Sequence, residues 1–174
     1  MANLQISKEE MERTRVARRR DLKAFPESFV DTVIPEFKRN LFSIIGAGVF
    51  EDPDMRPAIS EQHCFTLSMI EVEPGQGAGL HSHDTEEVFI PMDGKFAVYW
   101  GDDGENEIEL DAMDTVSVPI GVMRGFRNPG DTTVHVIAVV GGHDGGRLKW
   151  HKGVIERAAE HGGALGNDGY MVKD

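Results

Sequence analysis

Two histidines one residue apart, His81 and His83, precede a carboxylate, Glu87, in the run Gly79-Leu80-His81-Ser82-His83-Asp84-Thr85-Glu86-Glu87. Successive side chains on a β-strand alternate faces, so His81 and His83 point the same way, and Glu87 shares their parity if the segment stays extended. Glu86 then faces outward. Two imidazoles and one carboxylate on a single face form a donor set for Fe, Mn, Ni or Zn, with coordination positions left open for water or substrate. Such a centre supplies Lewis-acid or oxygen-activating chemistry.

A strand-borne site needs a sheet to hold it. From Leu41 onward the chain breaks into short apolar runs separated by Gly, Pro and Asp: 41–45, 63–72, 87–92, 95–100, 106–110, 115–118 and 132–140. Seven strands with tight turns predict an all-β barrel or sandwich. Met92-Asp93-Gly94-Lys95 reads as a two-residue hairpin, which would make its flanking strands antiparallel neighbours. Gly101-Asp102-Asp103-Gly104 and Asn128-Pro129-Gly130-Asp131 read as further reversals. Ser7 and Glu10 are spaced as a capping box for a helix running to about Arg20. The Gly-rich run 141–146 is expected to bend freely, ahead of a terminal helix over 154–160 closed by Gly162-Gly163.

Pro74-Gly75, His81-x-His83, Glu87 and Gly94 stand at the spacing of the first cupin motif, and the chain resembles the cupin superfamily there at every signature position. Pro119-Ile120-Gly121-Val122-Met123-Arg124-Gly125-Phe126-Arg127-Asn128 resembles the second motif through Pro119, Gly121 and Asn128. Two positions depart. Met113 stands where that motif begins with Gly, and Arg124 stands where it carries a last metal histidine. The resemblance, covering roughly residues 60 to 140, implies an all-β cupin-type double-stranded β-helix, or jelly-roll barrel, with short N- and C-terminal helical segments. Residues 1–40 are expected as a partly helical extension, 41–142 as the barrel, and 143–174 as a C-terminal loop and short helix packed on it.

Arginine stays protonated and cannot ligate a metal. Three arrangements follow. In one, His81, His83 and Glu87 hold the metal, and Arg124 at the rim clamps a substrate anion. In another, His135 faces inward and replaces the missing ligand. In the third, Arg124 pairs with Glu87 and the pocket is metal-free. By parity Phe89 shares the face of Glu87 and Phe126 that of Arg124, so both line the interior, as core or as ligand contacts. Either Tyr99 or Trp100 enters from the next strand. Trp150 and His151 either close over the mouth as a lid or pack on the surface with the terminal helix.

Composition bounds the partners. Lys and Arg number 18 against 30 Asp and Glu, a formal net charge of -12 that repels nucleic-acid phosphates and anionic lipid surfaces. The basic stretch Arg13, Arg15, Arg18, Arg19, Arg20 and Lys23 is expected as a solvated helical face pairing with Glu9, Glu10 and Glu12. The single cysteine, Cys64, is expected as a buried core thiol in a reducing compartment. No apolar run reaches membrane-spanning length and the N-terminus has no signal-like apolar core, so a cytoplasmic protein is expected. The leading function is a divalent-metal-dependent enzyme acting on an anionic or oxygen-rich small metabolite, with an oxygenase favoured over an isomerase or lyase. Its alternative is a metal-free binding or regulatory module for a small acid or sugar. A homodimer is expected from the resemblance, with the 41–45 segment exchanged between subunits or kept as an intramolecular edge.

Overall fold

The computed structural model describes residues 3–46, 50–61, 63–142 and 148–172. Its elements run α1 (Lys8–Arg15), β1 (Asn40–Ile45), β2 (Phe65–Val72), β3 (Gly77–His83), β4 (Glu87–Pro91), β5 (Lys95–Trp100), β6 (Asn106–Asp111), β7 (Val116–Val118), β8 (Arg124–Arg127), β9 (Val134–Gly141), β10 (Leu148–Trp150) and α2 (Lys152–Glu160). Two five-stranded sheets result, one ordered β1-β2-β9-β4-β7 and the other β10-β3-β8-β5-β6. Every pairing between these strands is antiparallel. This is the expected all-β cupin architecture. All seven expected strands are present, and β3, β8 and β10 are added to them.

Period-two alternation explains the inner faces. On β9 Val134, Val136, Ala138 and Val140 are buried, while the intervening His135, Ile137 and Val139 are half-buried. The core between the sheets holds a triangle of rings, Phe89, Phe96 and Phe126, with centroids 5.2 to 5.6 Å apart. Tilted ring pairs at this spacing add about 1 kcal/mol each beyond area burial.

The Asp93-Gly94 turn corrects the expected hairpin. Gly94 has the positive φ of +59° that the turn requires, yet β4 and β5 lie in different sheets. The turn carries the chain across the edge of the sandwich, and β9 fastens it: the Met92 N–H donates to the His135 carbonyl and the His135 N–H to Asp93 Oδ1, both at 2.7 Å. Local turn chemistry specifies a reversal, and which strand pairs with which is decided by the facing sheet. The 101–104 reversal does join neighbours, β5 and β6. Asn128, fully buried, fastens the third reversal by donating from Nδ2 to the Val72 and Thr132 carbonyls at 2.8 Å. Met113 is the non-glycine residue at positive φ, +72°, among those described. It stands where the second motif has glycine, so the backbone keeps the left-handed conformation without the residue that adopts it freely.

The N-terminal segment is partly helical, but its first helix is shorter than expected. Ser7 Oγ accepts from the Glu10 N–H at 3.0 Å, but α1 stops at Arg15. Of the basic residues beyond it, Arg18 pairs with Glu12 and Arg19 pairs with Glu71 of β2 at 3.1 Å while stacking on Phe42. The basic stretch thus pairs in part with its own helix and in part straps the segment to the sheet. β1 pairs with β2 of the same chain as an edge strand. Cys64 is exposed rather than a core thiol, because it precedes β2 instead of lying within it. The expected 141–146 loop falls largely on residues 143–147, outside the described set. α2 forms over Lys152–Glu160, and Gly162 beyond it takes φ +83°. No helix among the described residues is long and apolar enough to cross a membrane.

Candidate metal centre

The three candidate ligands converge, by a route parity alone does not give. His81 and His83 lie on β3 of one sheet, the chain turns at Asp84–Glu86, and Glu87 opens β4 of the other. Glu86 is exposed, as its parity demands. The two sheets face each other, so the imidazoles and the carboxylate approach from opposite walls, with one donor atom of each within 4.8 Å of the others. All three are buried.

Cross-strand register builds the walls. Trp150, His81, Arg124 and Trp100 are successive partners across one sheet. Thr66, Val140, Glu87 and Val118 are successive partners across the other. The Gly121 N–H, from the second motif's turn, donates to the His83 carbonyl at 2.9 Å and fixes the end of β3. Between the sheets lies a cavity of about 40 Å³, lined by His81, His83, Glu87 and Arg39 and by the rings of Phe29, Phe50 and Trp150.

His81 Nδ1 lies 2.7 Å from the Gly79 carbonyl oxygen. A carbonyl only accepts, so Nδ1 carries the proton and Nε2 keeps its lone pair for a ligand, the arrangement that metal-bound histidines use. Burial, followed by the charges of Arg124 and His83, holds His81 well below the ordinary imidazole pKa. It is a neutral donor at pH 7.

Arg124 is not at the rim. It is 1 % exposed, and its Nε and Nη2 both donate to Glu87 Oε2, at 3.0 and 2.6 Å. Nη1 donates to the Val122 carbonyl at 3.3 Å. The side chain inherits the inward position of the motif histidine, but its length carries the guanidinium onto the carboxylate, so the rim clamp is corrected to a buried ion pair. The arrangement with His135 as the replacement ligand does not occur. Its side chain faces outward, with Nδ1 2.8 Å from Asp93 Oδ2, because the inward parity of β9 belongs to Val134 and Val136. Tyr99 lies on the outer face, donating to the Ala78 carbonyl at 2.6 Å, and Phe96 and Val98 hold the inward positions of β5. Phe126 borders the cavity, whereas Phe89 belongs to the core beneath it. Trp150 is a strand residue whose ring lies 5.2 Å from that of His81.

The donor set fits a divalent metal. Both guanidinium contacts fall on Glu87 Oε2, and a carboxylate offers about four lone-pair sites over two oxygens. Hydrogen-bonded carboxylates are usual around ligated metals. The constraint is electrostatic: a dication a few ångströms from the guanidinium costs several kcal/mol even at an effective dielectric of about 20, unless an anion lies between them.

Spacing rules did not reveal the support for this site. Asp31 and Arg39 form a buried pair, with Arg39 Nη1 and Nη2 donating to the two carboxylate oxygens at 3.0 Å, and Arg39 and Asp31 reach on to the Gly77 carbonyl and the Gly79 N–H of β3. Burial drives the Asp31 carboxyl above its usual range, and Arg39 pulls it back. Glu51 accepts from the Val30 N–H at 2.6 Å and from Trp150 Nε1 at 2.7 Å, holding the tryptophan over His81. Burial pushes Glu51 up to about 7, against the two donors that favour its charged form.

A raised folded-state pKa gives stability that is complete below the unfolded value of 4.5 and lost as pH rises through about 7. Wild-type stability is therefore expected to fall by on the order of 3 kcal/mol between pH 4.5 and 8 from this group. Glu51→Gln should remove that share of the slope in denaturant titrations at several pH values, and equal slopes in the two proteins would contradict the assignment.

The sequence matches the Cupin domain family over residues 68–140. Among curated proteins no sequence matches this chain. Among solved structures it is similar to the polyketide cyclase RemF from Streptomyces resistomycificus, at 18% identity and TM-score 0.56 over 79% of this chain and 84% of that one. A cupin 2 domain-containing protein from Halorhodospira halophila aligns at 19% identity and TM-score 0.53 over 71% and 78%. An oxalate oxidase aligns at 19% identity and TM-score 0.50, over 67% of this chain and 56% of that one. Of other matched structures the chain spans about half the length, 49% and 46%. These likenesses establish fold, and residues 68–140, which hold both motifs, match the cupin domain family.

Proposed function

We propose that the protein is a divalent-metal-dependent enzyme acting on a small anionic or oxygen-rich metabolite, with His81, His83 and Glu87 as the metal ligands. The observation that carries this reading is the convergence of three buried donors, one of them His81 with its tautomer set by Gly79, on a small cavity. When bound, a metal of the Fe, Mn, Ni or Zn type supplies Lewis-acid or oxygen-activating chemistry, and the two-His, one-carboxylate set suits oxygen chemistry best. The chain's own residues do the rest. His81 stays neutral, Arg124 orients Glu87 and offsets its charge, and the rings of Phe29, Phe50 and Trp150 give the cavity an apolar wall. A loaded site would carry excess positive charge, which favours an anionic ligand.

The Arg124–Glu87 contact supports a second reading, a metal-free pocket that binds a small acid or sugar without turnover. Elemental analysis of protein purified without chelator separates the two. Near-stoichiometric Fe, Mn, Ni or Zn, lost in the His81→Ala/His83→Ala variant, is the expected result. Sub-stoichiometric metal in both proteins would remove the enzymatic reading.

A further inference from the structure

Arg39 precedes β1, outside the family-matched residues 68–140, yet it lines the cavity beside the imidazoles. Its guanidinium carbon stands 5.1 Å from the ring centre of Phe29 and 5.7 Å from that of Phe126, and both rings line the same cavity. A guanidinium carries five N–H donors in a fixed plane. Nη1 serves Asp31 Oδ2 and the Phe37 and Gly77 carbonyls, and Nη2 serves Asp31 Oδ1. That leaves Nε and the second Nη2 hydrogen without an acceptor among the described residues. These two donors lie side by side on one edge, the same edge with which Arg124 grips Glu87. Asp31 takes the end of the Arg39 fork and the two carbonyls its far side, so the unused edge faces away from all three. Arg39 is 7 % exposed, and its Nε stays open to a water-sized body, whereas the unpaired Ser43 Oγ is sealed.

We propose that Arg39 is the anion receptor of the site, presenting Nε and Nη2 to the carboxylate of a short-chain acid whose other end meets His81, His83 and Glu87. A planar carboxylate accepts two parallel N–H bonds from such an edge. Arg39 also borders a surface groove, but there Glu27, Glu71 and Glu73 outnumber Lys38 and repel an anion. The cavity side holds the neutral His81 and two guanidiniums, each balanced by one carboxylate. Space sets the size of the acid. A cavity of about 40 Å³ holds roughly three water-sized bodies, so the occupant has about two or three carbons. The inference rests on the metal reading for the far end of the acid only; the carboxylate end stands on Arg39.

Acetate and acetamide, alike in shape and different in charge, test it. Calorimetric titration of the metal-free wild type is expected to show acetate binding about tenfold or more tightly than acetamide, because a fork built for a carboxylate rejects the amide, and added Mn2+ should widen that preference. Arg39→Lys keeps a cation for Asp31 but has no fork, so the preference should fall to within about twofold. Asp31→Leu/Arg39→Met, which leaves no unpaired charge, should lose it equally and decides the matter should Arg39→Lys fail to fold. Ser68→Leu fills the cavity from β2 and leaves the groove untouched, so it too should abolish acetate binding. A melting transition in each variant confirms its fold. Preference retained in a folded Arg39 variant or in Ser68→Leu, or absent from the wild type, would overturn the proposal. A preference lost in all the variants but indifferent to Mn2+ upholds the Arg39 receptor even as the metal reading fails.

Discussion

Arg124→Ala is expected to cost metal-free protein about 3–5 kcal/mol of stability, read from denaturant unfolding, because it strands the Glu87 carboxylate in a buried setting. Glu87 is 6 % exposed and takes both guanidinium contacts on one oxygen. Removing one partner of a buried pair exposes the full desolvation cost of the other. Added Mn2+ or Zn2+ should then stabilise the variant more than the wild type, since the cation replaces the lost positive charge and the repulsion between guanidinium and dication is gone. Metal content should hold or rise. Loss of metal would mean that the arginine's positioning of Glu87 outweighs its repulsion of the cation.

The second large effect belongs to a pair remote from the donors. Arg39→Ala should destabilise by about 3–5 kcal/mol, for it leaves Asp31, 0 % exposed, without its guanidinium. The consequence should reach the site. Arg39 Nη1 donates to the Gly77 carbonyl at 3.2 Å and Asp31 Oδ2 accepts from the Gly79 N–H at 2.9 Å, so the pair anchors the strand that presents His81 and His83. The double variant Asp31→Leu/Arg39→Met should lose less than the single one, since it leaves no unpaired charge. A loss below about 1 kcal/mol in Arg39→Ala would show that the pair contributes little.

Sequence carried the donor triad because ligand chemistry restricts residue types, and it carried the strands because alternation on a two-layer fold is strict. It misassigned features that depend on what faces a strand. Asp93-Gly94 encodes a turn, but whether that turn closes a hairpin or crosses between sheets is decided by β9. Alternation alone leaves open which of Tyr99 and Trp100 turns inward and whether His135 does, and the observed register puts Tyr99 and His135 on the outer face. For Arg124 the inward position is legible from the motif spacing, and of the arrangements left open for its side chain the ion pair with Glu87 is the one its reach produces. No spacing marks Asp31, Arg39 and Glu51, because the N-terminal segment and loops bring them to β3 and β10, and no periodicity records that packing.

On the proposed metal reading, His81, His83 and Glu87 take one cation between the sheets. Titration of metal-free protein with Co2+, followed by visible absorption, tests it most directly. One equivalent per chain in the wild type, with binding abolished in His83→Ala and weakened in Glu87→Gln, is the predicted result. Absent or weak Co2+ uptake in the wild type, or uptake equal in all three proteins, would contradict it.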